Sequence, residues 1–140
     1  MTFSNCKTED GKITIYVSEG EFTDDNIEKE FFGCGGVAKM TRDEGMTLSK
    51  DTLSRLLTEL PADLPIRLGL ETMGKQNQLG TLDEVIELCS MDKRLVPVVD
   101  FGHMNAREVG GYFVSADDYR RIFDKIALGC SDEVAKNLHC

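Results

Sequence analysis

The chain has 140 residues, and 16 lysines and arginines against 25 aspartates and glutamates give a net charge of −9. This length suits one domain, and 41% hydrophobic with 29% charged residues is a globular rather than a disordered balance. The acidic charge argues against a generic basic surface for nucleic acid. No apolar run approaches the roughly 20 residues that span a bilayer, and residues 1–11 lack a secretion signal. We therefore expect a cytoplasmic protein without a membrane partner.

Five cysteines are present, at positions 6, 34, 89, 130 and 140. Their number is odd and no two form a C-x-x-C pair, so we expect reduced thiols rather than disulfides or a cysteine zinc site. Cys89 lies on the apolar face of a predicted helix, where a free cysteine acts as a small core residue.

The first 30 residues differ from the rest and are left unassigned, whereas residues 31–140 are predicted to form one domain. Residues 12–17 alternate between apolar and polar side chains, which predicts a short strand. Residues 18–30 are acidic and favour a solvent-facing segment with one or two helical turns from Thr23. Residues 33–36 form a predicted glycine-rich turn.

Two predicted helices begin with the same motif. Thr41 with Glu44, and Thr81 with Glu84, fit the capping box that satisfies the first free amides of a helix. Apolar residues at helical spacing follow both motifs, and prolines at 61 and 65 end the first helix.

Residues 66–71 and 95–100 are the best predicted strands, and the second is almost continuously apolar, as in a strand covered on both faces. A loop is predicted over residues 101–114. Ser115 then begins a helix that Gly129 ends, and residues 134–140 are predicted to start another strand. This alternation of strands and helices favours a parallel sheet.

The predicted strands over residues 66–71 and 95–100 both end in an acidic residue. Glu71 is the last residue of the first strand, and Asp100 is the last residue of the second. Ligands gather at the carboxyl ends of parallel strands, so we expect both carboxylates at one edge. Asp100 and His103 form a D-x-x-H step, and an imidazole beside carboxylates suits Zn²⁺ or Mn²⁺. His139 ends the last predicted strand and would join them. The alternatives are an accidental motif and a frayed terminal histidine.

The polar loop over residues 72–80 contains two glycines and several side-chain amides. It either presents hydrogen-bond donors to a phosphate or sugar or simply connects a strand to a helix.

Residues 71–81 (ETMGKQNQLGT), the VVDFGH run at 98–103, and a predicted strand ending in histidine resemble endonuclease IV-like proteins of the xylose isomerase-like TIM-barrel group. The resemblance covers residues 31–140 and implies an α/β fold, a partial (β/α)8 barrel. A complete barrel takes about 250 residues, so only its middle portion would be present. The resemblance also implies catalysis and metal bridging by Glu71, with Asp100, His103 and His139 as further metal ligands. Zinc is the implied ion, with manganese and magnesium as alternatives.

Three functions remain open at this point. The resemblance implies zinc-dependent cleavage of DNA beside abasic sites, by a truncated chain. The family has a histidine just before the glycine-rich turn, where this chain has Phe32 and Gly33, and its other ligands have no counterpart here. The alternatives are a metal-dependent isomerase or epimerase of a sugar or sugar phosphate, and an inactive barrel fragment that self-associates through open edges.

Overall fold

The strands that the structure describes form one antiparallel and one parallel sheet. The computed structural model describes residues 6–9, 12–17, 20–22, 29–33, 40–63 and 67–140. The first sheet is antiparallel, in the order β1 (Cys6–Glu9), β2 (Lys12–Val17) and β3 (Gly20–Phe22). The second is parallel, in the order β4 (Lys29–Gly33), β5 (Arg67–Glu71) and β6 (Leu95–Val98).

Five helices accompany these strands in the described part of the chain. They are α1 (Arg42–Glu59), α2 (Leu82–Cys89), α3 (Phe101–Arg107), α4 (Ala116–Gly129) and α5 (Asp132–Lys136). Helix α1 follows β4, and α2 connects β5 to β6. Among the described residues, no helix combines the length and the apolar character needed to cross a membrane.

Most local predictions are confirmed. The predicted strands over residues 12–17, 66–71 and 95–100 correspond to β2, β5 and β6. Both predicted capping boxes are present, since the Thr41 and Thr81 side chains accept from the amides of Glu44 and Glu84. The predicted turn over residues 33–36 lies outside the described residues except for Gly33, which ends β4. The helical turns predicted near Thr23 also lie outside them.

Apolar residues of the sheet and helices form two clusters that meet at α2. The first cluster joins α1, α2, β5 and β6 through buried side chains that include Leu68, Val85 and Leu88. The second joins α2, α3 and α4 around Val99 and Ile126. Cys89 is 6% exposed and belongs to the first cluster, which confirms its predicted packing role. This core holds the carboxyl ends of β5 and β6 in place.

The outer edge of β6 offers no free backbone donor. The carbonyls of Arg94 and Val98 face β5, where they accept from Leu68 and Thr72. Successive residues of a strand direct their main-chain groups to opposite edges. The position of the N–H that Pro97 lacks is therefore on the outer edge of β6, away from β5. The two other donors on that edge are occupied: the Leu95 amide binds the Asp92 carbonyl, and the Val99 amide binds the His139 carbonyl, both at 3.0 Å.

The predicted partial (β/α)8 TIM barrel is wrong. A barrel continues one parallel sheet around a closed ring, whereas the parallel sheet described here has three strands, and the strands before it are antiparallel in a sheet of their own. The predicted strand over residues 134–140 is also wrong in most of its length. Ser131 caps α5, its hydroxyl accepting from the Val134 amide at 3.1 Å. Only His139 makes an isolated parallel bridge, to Val98.

The predicted loop over residues 101–114 is wrong in its first half, which forms α3. The carboxylate of Asp100 accepts from the amide of His103 at 2.7 Å and so caps this helix. Sequence reasoning treated Asp100 as a strand end and a metal ligand but not as a helix cap, and therefore missed the helix that it begins.

Glu84 provides an acid-sensitive contact between α2 and α1. Burial raises the pKa of the Glu84 carboxyl, but hydrogen bonds from Arg42, Thr81 and Gly80 outweigh it and leave the pKa below its ordinary value of 4.5. A lowered carboxyl pKa stabilises the fold above the unfolded value, and this stabilisation is lost as the pH falls through the folded value.

We expect Glu84→Gln to lower the free energy of unfolding by about 1 kcal/mol near neutral pH, because the variant loses a charged cap that solvent partly screens. The difference from wild type should shrink as the pH falls through the lowered pKa of Glu84 and the carboxylate becomes protonated. Urea denaturation over a series of pH values below neutral measures it, with the exposed Glu87→Gln as control. A difference that stays constant with pH would contradict this account.

Candidate metal site

Three of the predicted site residues meet at the carboxyl edge of the parallel sheet. Glu71 ends β5 opposite Val98 of β6, and Asp100 and His103 follow β6 directly. One potential ligand atom from each of the three lies within 4.8 Å of the other two. Their side chains are 27%, 41% and 42% exposed in that order, so an ion from solvent can reach them.

Thr72 aligns the two strand ends that carry these residues. It is completely buried, and its amide donates to the Val98 carbonyl at 3.0 Å. Its hydroxyl accepts from the Asp100 amide at 2.9 Å and lies 3.4 Å from the Asp100 carbonyl. These contacts are made by Thr72, the residue after Glu71, and they hold Glu71 beside Asp100.

The two oxygens of Asp100 have separate partners. Oδ1 accepts from the His103 amide as the helix cap, whereas Oδ2 lies 3.5 Å from Nδ1 of the His103 ring. The same nitrogen lies 3.3 Å from Oε1 of Glu71. The D-x-x-H step thus caps α3 with one oxygen and leaves the other directed at the imidazole.

The donor set fits a small divalent transition metal ion. Zinc bonds of 2.0–2.2 Å in a tetrahedron separate neighbouring ligand atoms by roughly 3.3–3.5 Å, which matches the two distances from Nδ1. Nδ1 also lies 3.1 Å from the Thr72 carbonyl, a contact that requires a proton on Nδ1 because a carbonyl only accepts. For Nδ1 to be a ligand, this proton must move to Nε2.

His139, the fourth predicted ligand, is not a member of this group. Its carbonyl binds the Val99 amide, and the residue lines a cleft of about 470 Å³ together with Glu71 and Asp100. Val98, Val99, Phe101 and Cys140 complete the lining of this cleft. The structure therefore brings Glu71, Asp100 and His103 together and places His139 on the wall of the same cleft.

The polar loop between Glu71 and α2 is held by two arginines that sequence reasoning missed. Arg107 of α3 and Arg42 of α1 donate to main-chain carbonyls of residues 73–78. Burial, and then the charge of Arg42, lower the pKa of Arg107 from its ordinary value, although an arginine remains protonated in proteins. The spacing of His103 and Arg107, four residues apart, would have signalled one helix face had α3 been predicted.

Comparisons with known proteins add a relative but no activity. No protein-family model matches the chain, and no solved structure matches it. An uncharacterized protein of Methanocaldococcus jannaschii is 29% identical over 109 residues, which cover 77% of this chain and 39% of that protein. The matched stretch thus spans about two fifths of the relative's length. The resemblance to endonuclease IV-like proteins stays a prediction.

We expect Thr72→Val to lower the free energy of unfolding by about 1–3 kcal/mol, because the Asp100 amide loses its acceptor, the completely buried Thr72 hydroxyl. Chemical denaturation measures the change. The matched control is Thr47→Val, whose exposed hydroxyl binds a carbonyl within α1 and whose loss should cost less than about 0.5 kcal/mol. Equal effects of the two variants would show that the Thr72 hydroxyl does not join the strand ends.

Proposed function

We propose that Glu71, Asp100 and His103 bind a divalent transition metal ion, zinc in the first place, and that the site hydrolyses a phosphodiester. The observation that carries the proposal is the convergence of the three ligand atoms within 4.8 Å at one edge of the sheet. Ligand clefts in sheets of parallel strands lie at this edge. Manganese and magnesium are the alternative ions.

Three protein ligands are the number found in catalytic zinc sites, where the ion lowers the pKa of a bound water to about 7. We assign the catalytic role to Glu71, whose side chain is the least exposed of the three proposed ligands. Val98, Val99 and Phe101 give the cleft an apolar wall. Asp100 holds His103 in place through the capped first turn of α3.

DNA with an abasic site is the substrate that the sequence resemblance implies. The net charge of −9 repels a polyanion, so binding of DNA would depend on the attraction between the bound ion and the phosphate. A second candidate is the isomerisation of a sugar or sugar phosphate. The cleft favours it, because about 470 Å³ lies in the range of small-molecule sites.

We expect the full chain to bind Zn²⁺ and the variants Glu71→Gln and His103→Ala to bind it at least about tenfold more weakly, a loss of about 1.4 kcal/mol. Isothermal titration calorimetry measures the affinities. Glu87→Gln, which removes an exposed carboxylate paired with Lys50, should leave the affinity unchanged. Equally weak binding by all four proteins would mean that this site does not exist.

A variant of His139 distinguishes a site with three protein ligands from a site with four. If the site has three ligands, His139→Ala should change zinc affinity by less than about threefold. A loss as large as that of His103→Ala would place His139 in the ligand set.

Activity distinguishes the two candidate reactions. We expect zinc-dependent cleavage of a duplex with one abasic site, reduced on the order of 100-fold by Glu71→Gln. An intact duplex and a panel of aldoses and ketoses are assayed in parallel. Isomerisation of a sugar with manganese or magnesium, without cleavage of the duplex, would favour the second candidate.

A further inference from the structure

Arg107 connects the helix that carries His103 to the loop that follows Glu71. It lies one turn beyond His103 in α3, and its guanidinium donates to carbonyl oxygens of that loop. The acceptors and distances are Met73 at 3.1 Å, Lys75 at 2.7 Å, Gln76 at 3.2 Å and Gln78 at 3.1 Å. A planar guanidinium with five donors is suited to such a contact, and an ammonium is not.

Arg42 binds the same loop from a different helix. It donates to the Gln76 carbonyl at 3.0 Å and to the Gln78 carbonyl at 3.2 Å, and it pairs with Glu84 of α2. Arg42 therefore joins the loop to α1 and α2, whereas Arg107 joins it to α3. The two arginines share two acceptors and differ in the helix that they fix.

The loop and His103 are in close contact at Gly74. A Cβ atom at position 74 would lie 3.3 Å from both Cα and Cδ2 of His103, closer than most real Cβ contacts. Gly74 lies between Met73 and Lys75, two of the residues whose carbonyls bind Arg107. Any shift of the loop relative to α3 would therefore change the surroundings of the imidazole.

We propose that Arg107 is a positioning residue that sets the distance between the Glu71 carboxylate and the His103 imidazole. It acts by fixing the loop after β5 against α3, so that the ligand atoms keep the 3.3 Å separation that a small ion requires. The proposal rests on the metal-binding function proposed above. Partners that orient metal ligands in this way typically change metal affinity by about 10–100-fold.

The test compares Arg107→Ala with Arg42→Ala, two losses of a guanidinium from the same loop. Zinc affinity is measured by calorimetry, and the geometry is measured without metal as the nuclear Overhauser effect between Gly74 Hα and His103 Hδ2. We expect Arg107→Ala to lose this signal and at least about tenfold in zinc affinity. Arg42→Ala should retain both, although its free energy of unfolding falls because the contact with Glu84 is lost.

Arg107→Lys covers the case in which Arg107→Ala does not fold. An ammonium cannot bridge all four carbonyls, so the lysine variant should weaken the Overhauser signal and bind zinc with intermediate affinity. Arg120→Ala, which removes an exposed arginine paired with Asp117, serves as the control for loss of one positive charge.

Three results would overturn the proposal: an unchanged Overhauser signal in Arg107→Ala, unchanged zinc affinity in that variant, or equal losses in Arg107→Ala and Arg42→Ala. If the wild type itself binds no zinc, the metal-binding function fails. The Overhauser signal still decides whether Arg107 positions His103, since it is measured without an ion.

Discussion

The hydrogen bonds of Thr72 are the constraint on which the rest of the site depends. A parallel pair of strands fixes its register through main-chain bonds, and β5 and β6 end level with each other because the Thr72 amide binds the Val98 carbonyl. The buried hydroxyl then extends this alignment by two residues, to the Asp100 amide. Glu71 precedes Thr72 and Asp100 binds it, so both residues line the same cleft.

The polar loop after Glu71 is ordered by charge as well as by apolar packing. Leu79 anchors its end in the first hydrophobic cluster, but most of its other residues are glycine and polar residues that bury little apolar surface. Two guanidinium groups bind its carbonyls, and the Met73 amide closes its base on the Gly80 carbonyl at 2.9 Å. Gly80 adopts a φ of +116° there, a conformation that glycine alone adopts at little cost. The loop is thus fixed relative to three helices at once.

Local sequence patterns were sufficient to predict the helices that begin with a capping motif. Thr41 and Thr81 begin helices because threonine and glutamate at this spacing satisfy each other's amides. The D-x-x-H step was ambiguous, since the same aspartate both caps α3 and approaches His103. We predicted that Asp100 lies near Glu71 because we expected their two strands to be parallel, and β5 and β6 do pair in parallel.

Other features were beyond the reach of local patterns. The roles of Arg42 and Arg107 depend on contacts between residues about 30 to 40 positions apart, and nothing in the spacing of charges indicates which carbonyls they bind. The barrel was inferred from the order of motifs alone. Motif order does not determine how many strands join one sheet. Here β1 to β3 form a separate antiparallel sheet, and α5 replaces an expected strand.

The edge of β6 has a consequence for the behaviour of the protein at high concentration. Exposed strand edges act as templates on which an extended segment of another chain adds a further strand, and this is a common start of fibrillar aggregation. Pro97 offers no donor, and the donors before and after it are already used by Asp92 and His139. An incoming strand would find no regular ladder to continue at this position. Pro97 thereby removes one of the main-chain donors that an added strand would need.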